Sequence, residues 1–422
     1  MVIKTTYDTI IIGAGPAGLM AAIQAYKPSS NILVLERMPK PALKLRISGK
    51  GRCNITNSAE LDDFISHFGK NGRFLKYAFS EFFSDDLLDF FKKLGVGFKL
   101  ERGGRYFPKT DNADSIVNAL LNKTKALNIP IFCNCEVTDI EKLSEGGFVI
   151  KITKDKREDI DIEAKSVVLA CGGKSYPATG SNGTGFKLAS NLGHKTVPIS
   201  PALVPIVTKG NIAKNIQGLS LKNVKAKVLC EDKKVDERFG EMVFTDFGLS
   251  GPIILSLSKA VLNLIKTGKK AAVSIDLKPA LSSEVLDKRL LKEINNYGGK
   301  TFKSLLKMLL PSKLIPVFIE LCNVPGDKRL NQMSAQERKK LRMLLQDFRF
   351  EVKGVKSFNH AIVTSGGVNT KEINSKTMES KLLKGLYFAG EVIDIDADTG
   401  GFNIQAAFST GWVAGQAVKD SV

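Results

Sequence analysis

The sequence predicts an α/β fold of the doubly wound, Rossmann-like class, and three observations support that prediction. An apolar run at 7–12 enters the turn GAGPAG, and a helix pattern at 19–26 and a strand pattern at 31–36 follow, which is a βαβ opening. Short apolar strand patterns return at 166–170 and beyond His360. At 422 residues, the chain also exceeds the roughly 250–300 residues that one hydrophobic core usually spans. We therefore expect a Rossmann-like domain and at least one further domain.

The order of the patterns predicts that both ends of the chain build the Rossmann-like domain around an insertion. Upstream of the insertion, 80–125 is predicted to be mainly helical with a break at Gly103–Gly104, and 131–162 to form a β-meander. From about residue 196, proline-punctuated strand patterns begin, and basic amphipathic helix patterns follow them. The expected segments are 1–195 for the first part of the domain, 196–280 for a β-rich insert, 281–346 for a helical, basic insert and 347–422 for the return.

The composition excludes several classes of protein. No run approaches the ~20 apolar residues of a membrane helix, and no cleavable signal peptide is recognised, so we expect a cytoplasmic protein that does not span a membrane. The six cysteines are scattered without a Cys-x-x-Cys pair, and the chain has only three histidines. We therefore expect no metal site and no disulfide-reductase chemistry.

The net charge of +19 has two interpretations that composition leaves open. A Lys-rich, solvated surface is the simpler one. The other is an electrostatic binding surface for a polyanion such as RNA.

The first chemical motif is the G-x-G-x-x-G turn of Gly13, Gly15 and Gly18. In this pattern the first glycine permits a tight turn, the second lets a pyrophosphate approach the backbone, and the third lets the helix pack on the strand. The helix N-terminus then presents free N–H groups to the phosphates. Glu36 ends the next strand pattern, at the distance expected for a carboxylate that binds the adenosine ribose hydroxyls. The motif indicates a dinucleotide and leaves FAD and NAD open.

The C-terminal region decides between them in favour of FAD. GLYFAGE ends a strand pattern on Gly390–Glu391, and TGGFNIQAAFSTG leads into a helix that is expected to start at Asn403. In flavoproteins of this fold, such an acid binds the ribityl hydroxyls, and the helix N-terminus faces the edge of the flavin that becomes negative on reduction. Gly400 and Gly401 would let the isoalloxazine lie against the backbone. A strand ending in Gly172–Gly173 supplies a third element beside the cofactor.

Several long motifs closely resemble the bacterial BaiN-like flavoproteins, which are NAD(P)/FAD-dependent or aminoacetone-oxidase-like oxidoreductases. These motifs are KLRISGKGRCNITN, FTDFGLSGP, VTSGGV, TMES, GLYFAGEVID and TGGFNIQAAFSTG. The resemblance runs almost from end to end. It implies an FAD domain with a β-barrel-like insert and a helical insert. It also implies reduction of small enone-like substrates, or reduction of a uridine in ribosomal RNA to dihydrouridine.

By that resemblance, the SGKGRCN loop lies along FAD, with Arg52 on the pyrophosphate and with Cys53 and Asn54 near the flavin. Lys50 stands where the family usually has glycine. The expected FAD contacts are Gly13, Gly15, Pro16, Ala17, Gly18, Glu36, Arg37, Lys44, Ser48, Gly49, Gly51, Arg52, Cys53, Asn54, Val137, Ala170, Gly172, Gly173, Gly390, Glu391, Gly400, Gly401, Phe402, Asn403 and Ile404.

Reduction of a conjugated C=C needs a hydride at one carbon and a proton at its neighbour. Cys53 is the candidate proton donor, because an ordinary thiol is protonated at neutral pH. The alternative is that Cys53 only packs within the loop. His194 is interpreted as a helix-end residue, and His67 and His360 are given no role. Further candidates to line the substrate site are Arg105, Tyr106, Thr245 and Asp246.

A second G-x-G-x-x-G between strands is absent, so NAD(P)H is expected to visit the substrate face transiently as reductant. The basic insert favours ribosomal RNA as substrate and partner, with Lys300, Lys303 and Lys307 as candidate RNA contacts. A small-molecule enone reductase or amine oxidase is the second hypothesis. A non-enzymatic, FAD-stabilised RNA-binding protein is the third.

Overall fold

A computed structural model describes residues 5–421, and these divide into two compact units. The first unit runs to Ala202 and resumes at Phe358, and the second is Leu203–Ser357. Both boundaries differ from the predicted segments. The strand at Thr196–Ala202, expected to open the insert, pairs within the first unit, and the strand at Phe348–Val355, expected in the return segment, belongs to the second unit.

Strands and helices both occur along the whole of the described chain. The strands of the described residues are β1 (Thr6–Ile12), β2 (Ile32–Leu35), β3 (Thr56–Asn57), β4 (Phe98–Glu101), β5 (Arg105–Pro108), β6 (Ile131–Phe132), β7 (Cys135–Lys142), β8 (Phe148–Lys154), β9 (Glu158–Leu169), β10 (Thr196–Ala202), β11 (Ile206–Thr208), β12 (Ser220–Cys230), β13 (Lys233–Thr245), β14 (Gly248–Ser250), β15 (Ala272–Asp276), β16 (Phe348–Val355), β17 (Val363–Val368) and β18 (Leu386–Phe388). The helices are α1 (Pro16–Ala25), α2 (Leu43–Ile47), α3 (Leu61–Ser66), α4 (Lys76–Glu81), α5 (Ser84–Lys93), α6 (Asp114–Ala126), α7 (Thr184–Asn191), α8 (Ile212–Asn215), α9 (Pro252–Lys266), α10 (Ser283–Asn296), α11 (Phe302–Leu309), α12 (Leu314–Cys322), α13 (Ala335–Gln346) and α14 (Phe402–Ser421).

The first unit is built on a seven-stranded sheet in the order β6-β2-β1-β9-β8-β7, with β18 also paired to β9. Strand β1 pairs in parallel with β2 and β9, and α1 makes the connection from β1 to β2. All four residues of β2 are buried, as a strand covered on both faces requires. The predicted Rossmann-like α/β class is confirmed.

Helices α1 and α14 pack closely against each other. A Cβ built on Gly411 would lie only 2.3 Å from the backbone oxygen of Ala17, so the two helix backbones approach more closely than a side chain would allow. The first and last helices of the unit are therefore held together by small residues.

The meander prediction holds, because β7, β8 and β9 are consecutive antiparallel neighbours. Two local expectations are wrong. The apolar run at 166–170 is the buried end of the 12-residue strand β9 rather than a separate strand. Gly103–Gly104 does not break a helix; both glycines have positive φ and form the turn of the β4–β5 hairpin.

The second unit contains a closed barrel in the order β11-β14-β13-β12-β15-β16. Phe244, Phe348 and Phe350 pack against one another in its core, with ring centroids 4.6–6.4 Å apart. The amphipathic helices α10 to α13 bury leucines such as Leu286, Leu305 and Leu341. The expected β-barrel-like and helical character of the insert is confirmed.

Candidate cofactor site

The turn between β1 and α1 gives each motif glycine a separate role. Gly13 has φ +109°, and a Cβ on it would lie 2.5 Å from the carbonyl oxygen of Ala170. A Cβ on Gly18 would lie 1.9 Å from the oxygen of Gly13, so the helix can meet the strand only without a side chain there. A Cβ on Gly15 would meet no protein atom within 4 Å. Gly15 therefore faces open space directly before Pro16 begins the helix, as a phosphate cradle requires.

Glu36 lies at the end of β2, only 9% exposed. Its carboxylate accepts hydrogen bonds from the backbone N–H of Ala14 at 2.9 Å and of Met38 at 2.8 Å. Burial raises the pKa of this carboxyl, and the two N–H donors oppose that rise. The side chain is thus fixed next to the Gly turn. The neighbouring Arg37 pairs with Glu136 at 3.3 Å.

Glu391 is held by a polar network that joins distant segments. It accepts from Lys44 Nζ at 2.5 Å, from Ser175 Oγ at 2.9 Å and from the N–H of Thr364 at 2.6 Å. Lys44 Nζ also lies 2.6 Å from Ser175 Oγ. Gly173 lies directly against this network, because a Cβ on it would lie 2.4 Å from Thr364 Oγ1. Gly172, next to it, has φ +71°.

The loop before α14 is held by three asparagine side chains. Asn57 Nδ2 donates to the oxygen of Gly400, Asn71 Nδ2 to Asp394, and Asn403 Nδ2 to the oxygen of Ala397. The N–H of Ala397 in turn donates to Asn403 Oδ1 at 2.9 Å. The helix starts one residue earlier than expected, at Phe402, and Asn403 ties the preceding loop to the first turn.

Gly400 and Gly401 can each be only glycine in this loop. A Cβ on Gly401 would lie 2.5 Å from the oxygen of Thr56, and one on Gly400 would lie 2.4 Å from Phe402 Cε2. Both residues also have positive φ. The backbone of this loop therefore has a defined path and no side chain in front of α14.

The SGKGRCN loop is folded back on the β3–β5–β4 sheet. Arg52 Nη1 lies 2.9 Å from Glu101 Oε1 and 3.1 Å from Asp111 Oδ1, and its guanidinium stacks 3.9 Å from the centre of the Phe107 ring. These two carboxylates hold the pKa of Arg52 above its ordinary value. A pyrophosphate contact of Arg52 stays a prediction, and in this structure both of its terminal nitrogens donate to carboxylates.

Two non-glycine residues of this loop adopt a backbone conformation that favours glycine. Lys50 has φ +60° and is exposed, and Cys53 has φ +61°. Gly49 is constrained as well, since a Cβ on it would lie 2.9 Å from the N atom of Asn54. The left-handed conformation at Lys50 gives a physical reason for a glycine at this position in similar proteins.

Protein atoms enclose the Cys53 side chain completely, with no exposed fraction. Burial raises the pKa of its thiol to about 12. A proton donor must reach the substrate, and an enclosed thiol does not. The geometry favours the packing alternative for Cys53.

The remaining predicted contacts are distributed around these groups. Ser48 Oγ donates to the oxygen of Leu45, and Ala17 lies buried in the first turns of α1. Gly390 has φ +75° and donates its N–H to Thr410. Ile404 is half-buried in the first turn of α14. Val137 is buried within the meander, and its predicted FAD contact stays a prediction.

The sequence reasoning missed one pair of polar residues beside these groups. His67 Nδ1 lies 3.2 Å from Asp398 Oδ2, and the imidazole stacks on Phe402 at 3.9 Å between ring centres. The two residues are 331 positions apart, so no local pattern could join them. In the described residues, no cluster of three or more His, Cys, Asp or Glu side chains is placed to hold a metal, and no helix is long and apolar enough to cross a membrane.

These features fit FAD. The open face of Gly15 suits the pyrophosphate, the fixed carboxylate of Glu36 suits the adenosine ribose, and the Lys44–Glu391 network suits the ribityl hydroxyls. The loop at Gly400–Gly401 leaves the N-terminus of α14 free of side chains.

Comparison with known proteins agrees with this fit. The family model described as HI0933-like protein Rossmann domain matches residues 7–417. The chain is 30% identical over 412 residues to a 3-dehydro-bile acid delta(4,6)-reductase of Clostridium scindens, covering 97% of this chain and 98% of that protein. It is 31% identical over 411 residues to the ribosomal RNA dihydrouridine synthase of Escherichia coli, covering 97% of each. The resemblance stated from the motifs is confirmed.

The solved structure of a 3-ketosteroid delta1-dehydrogenase from Sterolibacterium denitrificans shares the fold. Its TM-score is 0.57 at 14% sequence identity, and the alignment covers 99% of this chain and all of that one.

Proposed function

This chain belongs to the family of HI0933-like Rossmann proteins, and on that premise we propose that it reduces a conjugated C=C bond, with a uridine of ribosomal RNA as substrate. It is an FAD-dependent oxidoreductase. Bound FAD would supply the hydride that is added to one carbon of the double bond. NAD(P)H, visiting transiently, would restore the two electrons.

The protein's own residues prepare the reaction. The Gly turn and Glu36 would bind the adenosine and phosphate end of the cofactor, and the Lys44–Glu391 network would hold its ribityl chain. The loop at Gly400–Gly401, held by the hydrogen bond from Asn57, would orient the flavin ring. The N-terminus of α14 would point at that ring.

One observation favours RNA over a small substrate: three lysines with no carboxylate partner occupy one short stretch of the second unit. Lys300, Lys303 and Lys307 are all exposed, and Lys303 and Lys307 lie one turn apart on α11. Among the described residues, none of the three makes an ion pair with an acid. Lys300 instead lies 4.2 Å from the centre of the Tyr297 ring.

Two other basic residues of the second unit are neutralised by ion pairs. Lys328 pairs with Glu337 at 2.7 Å, and Arg338 pairs with Asp287 at 3.2 Å. The stretch at 300–307 therefore carries uncompensated positive charge, and an exposed aromatic ring lies beside it. Such a combination suits a phosphate backbone with unstacked bases.

The direct test is nucleoside analysis of ribosomal RNA from a strain that lacks the gene. We expect a dihydrouridine to disappear, and to return when the gene is supplied on a plasmid. An unchanged dihydrouridine content in the deletion strain would contradict an RNA substrate.

The lysines can be tested by RNA binding at several salt concentrations. We expect the triple variant Lys300→Glu, Lys303→Glu, Lys307→Glu to bind ribosomal RNA more weakly. Each lost phosphate contact with single-stranded RNA flattens the slope of log affinity against log salt by about 0.7, so the slope should change by about 2. The matched control is Lys187→Glu, Lys376→Glu, Lys384→Glu, which changes the same number of exposed lysines in the first unit. Equal slopes in both triple variants would show that the 300–307 stretch is ordinary solvated surface.

A small-molecule enone reductase is the second candidate. The 30% identity to a bile acid reductase over nearly the whole chain favours it, and identity to the RNA-modifying relative is no higher than 31%. Reduction of a steroid-like enone together with unchanged ribosomal RNA would support this candidate.

A further inference from the structure

We propose that His67, held by Asp398 and by the ring of Phe402, donates the proton that completes reduction of the double bond. This inference rests on the proposed function, because only addition of a hydride to a C=C leaves a neighbouring carbon that needs a proton. All three residues belong to the first unit.

The imidazole of His67 is oriented by two contacts. Nδ1 lies 3.2 Å from Asp398 Oδ2, and a carboxylate can only accept, so Nδ1 carries the hydrogen of that bond. One ring face stacks on Phe402 at 3.9 Å, with 23° between the planes. These contacts leave Nε2 as the free nitrogen, and no described residue makes a hydrogen bond to it. The side chain keeps 28% of its surface exposed, so it can exchange protons with water.

The histidine is next to the loop expected to carry the flavin. Phe402 begins α14, and its Cε2 atom lies 2.4 Å from where a Gly400 Cβ would be, so the Phe402 ring lies directly against Gly400. His67 lies on that same ring.

Asp398 is fixed by the same loop. Asn403 Nδ2 donates to the oxygens of Ala397 and Asp398, at 3.0 and 3.2 Å, and Asn57 Nδ2 donates to the oxygen of Gly400. Hydrogen bonds from Asn57 and Asn403 therefore hold the backbone of the same loop, 397–401, from which the Asp398 carboxylate reaches His67.

The other candidate donors are less suitable. The thiol of Cys53 is enclosed by protein atoms. His194 is buried and bonded to Ser380 through Nε2 at 2.9 Å. His360 is exposed, and no carboxylate in the described part of the chain pairs with it. His67 alone among the three histidines combines an orienting carboxylate with an accessible nitrogen.

The proposed step adds one hydride and one proton to the substrate. The substrate gains a hydride at the β-carbon and a proton at the α-carbon, and its C=C bond becomes a single bond. The proton comes from Nε2 of the His67 imidazolium, which becomes a neutral imidazole still bonded to Asp398 through Nδ1–H. The imidazole then takes up a proton from water. The two electrons enter with the hydride and are replaced by NAD(P)H.

The test separates proton delivery from flavin reactivity. The holoenzyme is reduced without oxygen and then mixed with one of two oxidants: 2-cyclohexen-1-one, which needs a proton at carbon, or ferricyanide, which does not. In His67→Ala we expect reoxidation by the enone to slow by about 10²–10⁴-fold and reoxidation by ferricyanide to stay at the native rate. Added imidazole should restore part of the enone rate. His360→Ala, at an exposed position, is the matched control and should behave as the native protein.

The outcomes distinguish proton donation by His67 from a purely structural effect of its removal. A native enone rate in His67→Ala overturns the inference, and so does a parallel fall of both rates, because a displaced flavin would explain it. If the native enzyme itself reacts with neither cyclohexenone nor unmodified ribosomal RNA, the proposed function fails first, and this inference fails with it.

Nitrogen NMR of the holoenzyme gives a readout that does not depend on activity. The chain has three histidines, so their ring nitrogens can be assigned by substitution. We expect the His67 ring to carry its hydrogen on Nδ1 when neutral and to lose that preference in Asp398→Asn. A neutral His67 with its hydrogen on Nε2 in the native protein would contradict the role of Asp398.

Discussion

Lys44 and Glu391 lie 347 positions apart in the chain, yet Lys44 Nζ is 2.5 Å from Glu391 Oε2. The ion pair is only partly solvated, with side-chain exposures of 25% and 19%. Ser175 Oγ contacts both partners, so the pair ties three distant segments of the first unit together. An ion pair in such a position fixes the orientation of the carboxylate, and either charge left alone there would lack its partner.

Removing only one partner should therefore cost stability. We expect Lys44→Met to lower the free energy of unfolding by about 2 kcal/mol, because a partly buried carboxylate loses its cation. Urea unfolding measures this, and FAD affinity should fall in the same variant. Lys165→Met is the control, since its ion pair with Asp8 is mostly exposed at Lys165 and should contribute less than about 1 kcal/mol. If the losses of Lys44→Met and Glu391→Gln simply add in the double variant, the two residues are not coupled.

The two glycines on either side of the first helical turn should respond in opposite ways to the same substitution. Gly18→Ala should prevent stable folding, because its Cβ would lie 1.9 Å from a backbone oxygen. Gly15→Ala should fold with a melting temperature close to native, because no protein atom lies within 4 Å of its Cβ. It should nevertheless bind FAD at least tenfold more weakly, since that Cβ occupies the approach of the phosphates. Native FAD affinity in Gly15→Ala, measured by flavin fluorescence, would place the pyrophosphate elsewhere.

These glycines show what the sequence could predict. Spacing within one turn determines a local geometry, and Gly13, Gly15 and Gly18 lie within six residues of one another. The βαβ opening and the meander were predictable for the same reason, because neighbouring strands in the chain are neighbours in the sheet.

Contacts between distant segments were not predictable in this way. The partners of Arg52 are Glu101 and Asp111, 49 and 59 positions away, and the partner of His67 is 331 positions away. The burial of a side chain cannot be predicted from its sequence neighbours either. Cys53 has glycines and polar residues around it in the sequence, yet its side chain is fully enclosed in the fold. The position of a side chain relative to a cofactor depends on such long-range packing.

The enclosed thiol of Cys53 should make stability depend on alkaline pH. Its pKa of about 12 in the folded protein exceeds the ordinary value of 9.0, so the folded state holds the proton more tightly than the unfolded state. The contribution to stability is complete below about pH 9 and is lost as pH rises from there towards 12. At about pH 10.5 it should have fallen by about 2 kcal/mol.

Cys53→Ala should remove this part of the pH dependence, and unfolding by urea at a series of pH values measures it. The alanine shares the backbone conformation of the native residue, so the difference in slope reports the thiol. An alkaline slope equal to that of the native protein would show that the thiol is accessible. Turnover in Cys53→Ala should stay within a few-fold of native, since the thiol does not reach the substrate.

His194 should make the stability of the folded protein fall at acid pH, whereas Cys53 makes it fall at alkaline pH. Ser380 Oγ accepts from the N–H groups of Leu382 and Leu383, so its own hydrogen is donated to His194 Nε2 at 2.9 Å. The proton of the neutral ring is then on Nδ1, which lies 3.3 Å from Glu372 Oε2 but outside hydrogen-bond geometry. Burial lowers the pKa of His194, and Glu372 opposes that fall.

A lowered pKa means that the folded protein resists protonation more than the unfolded chain does. The contribution of His194 to stability is therefore complete above its ordinary pKa of 6.5 and is lost as pH falls below it. We expect His194→Asn to be less stable at neutral pH, because it loses packing against Phe388, and to show a shallower decline between about pH 7 and pH 5. His360→Asn, at an exposed position, controls for the loss of one imidazole. If the acid decline is as steep in His194→Asn as in the native protein, the buried ring accepts its proton without disturbing Ser380, and the assigned hydrogen positions are wrong.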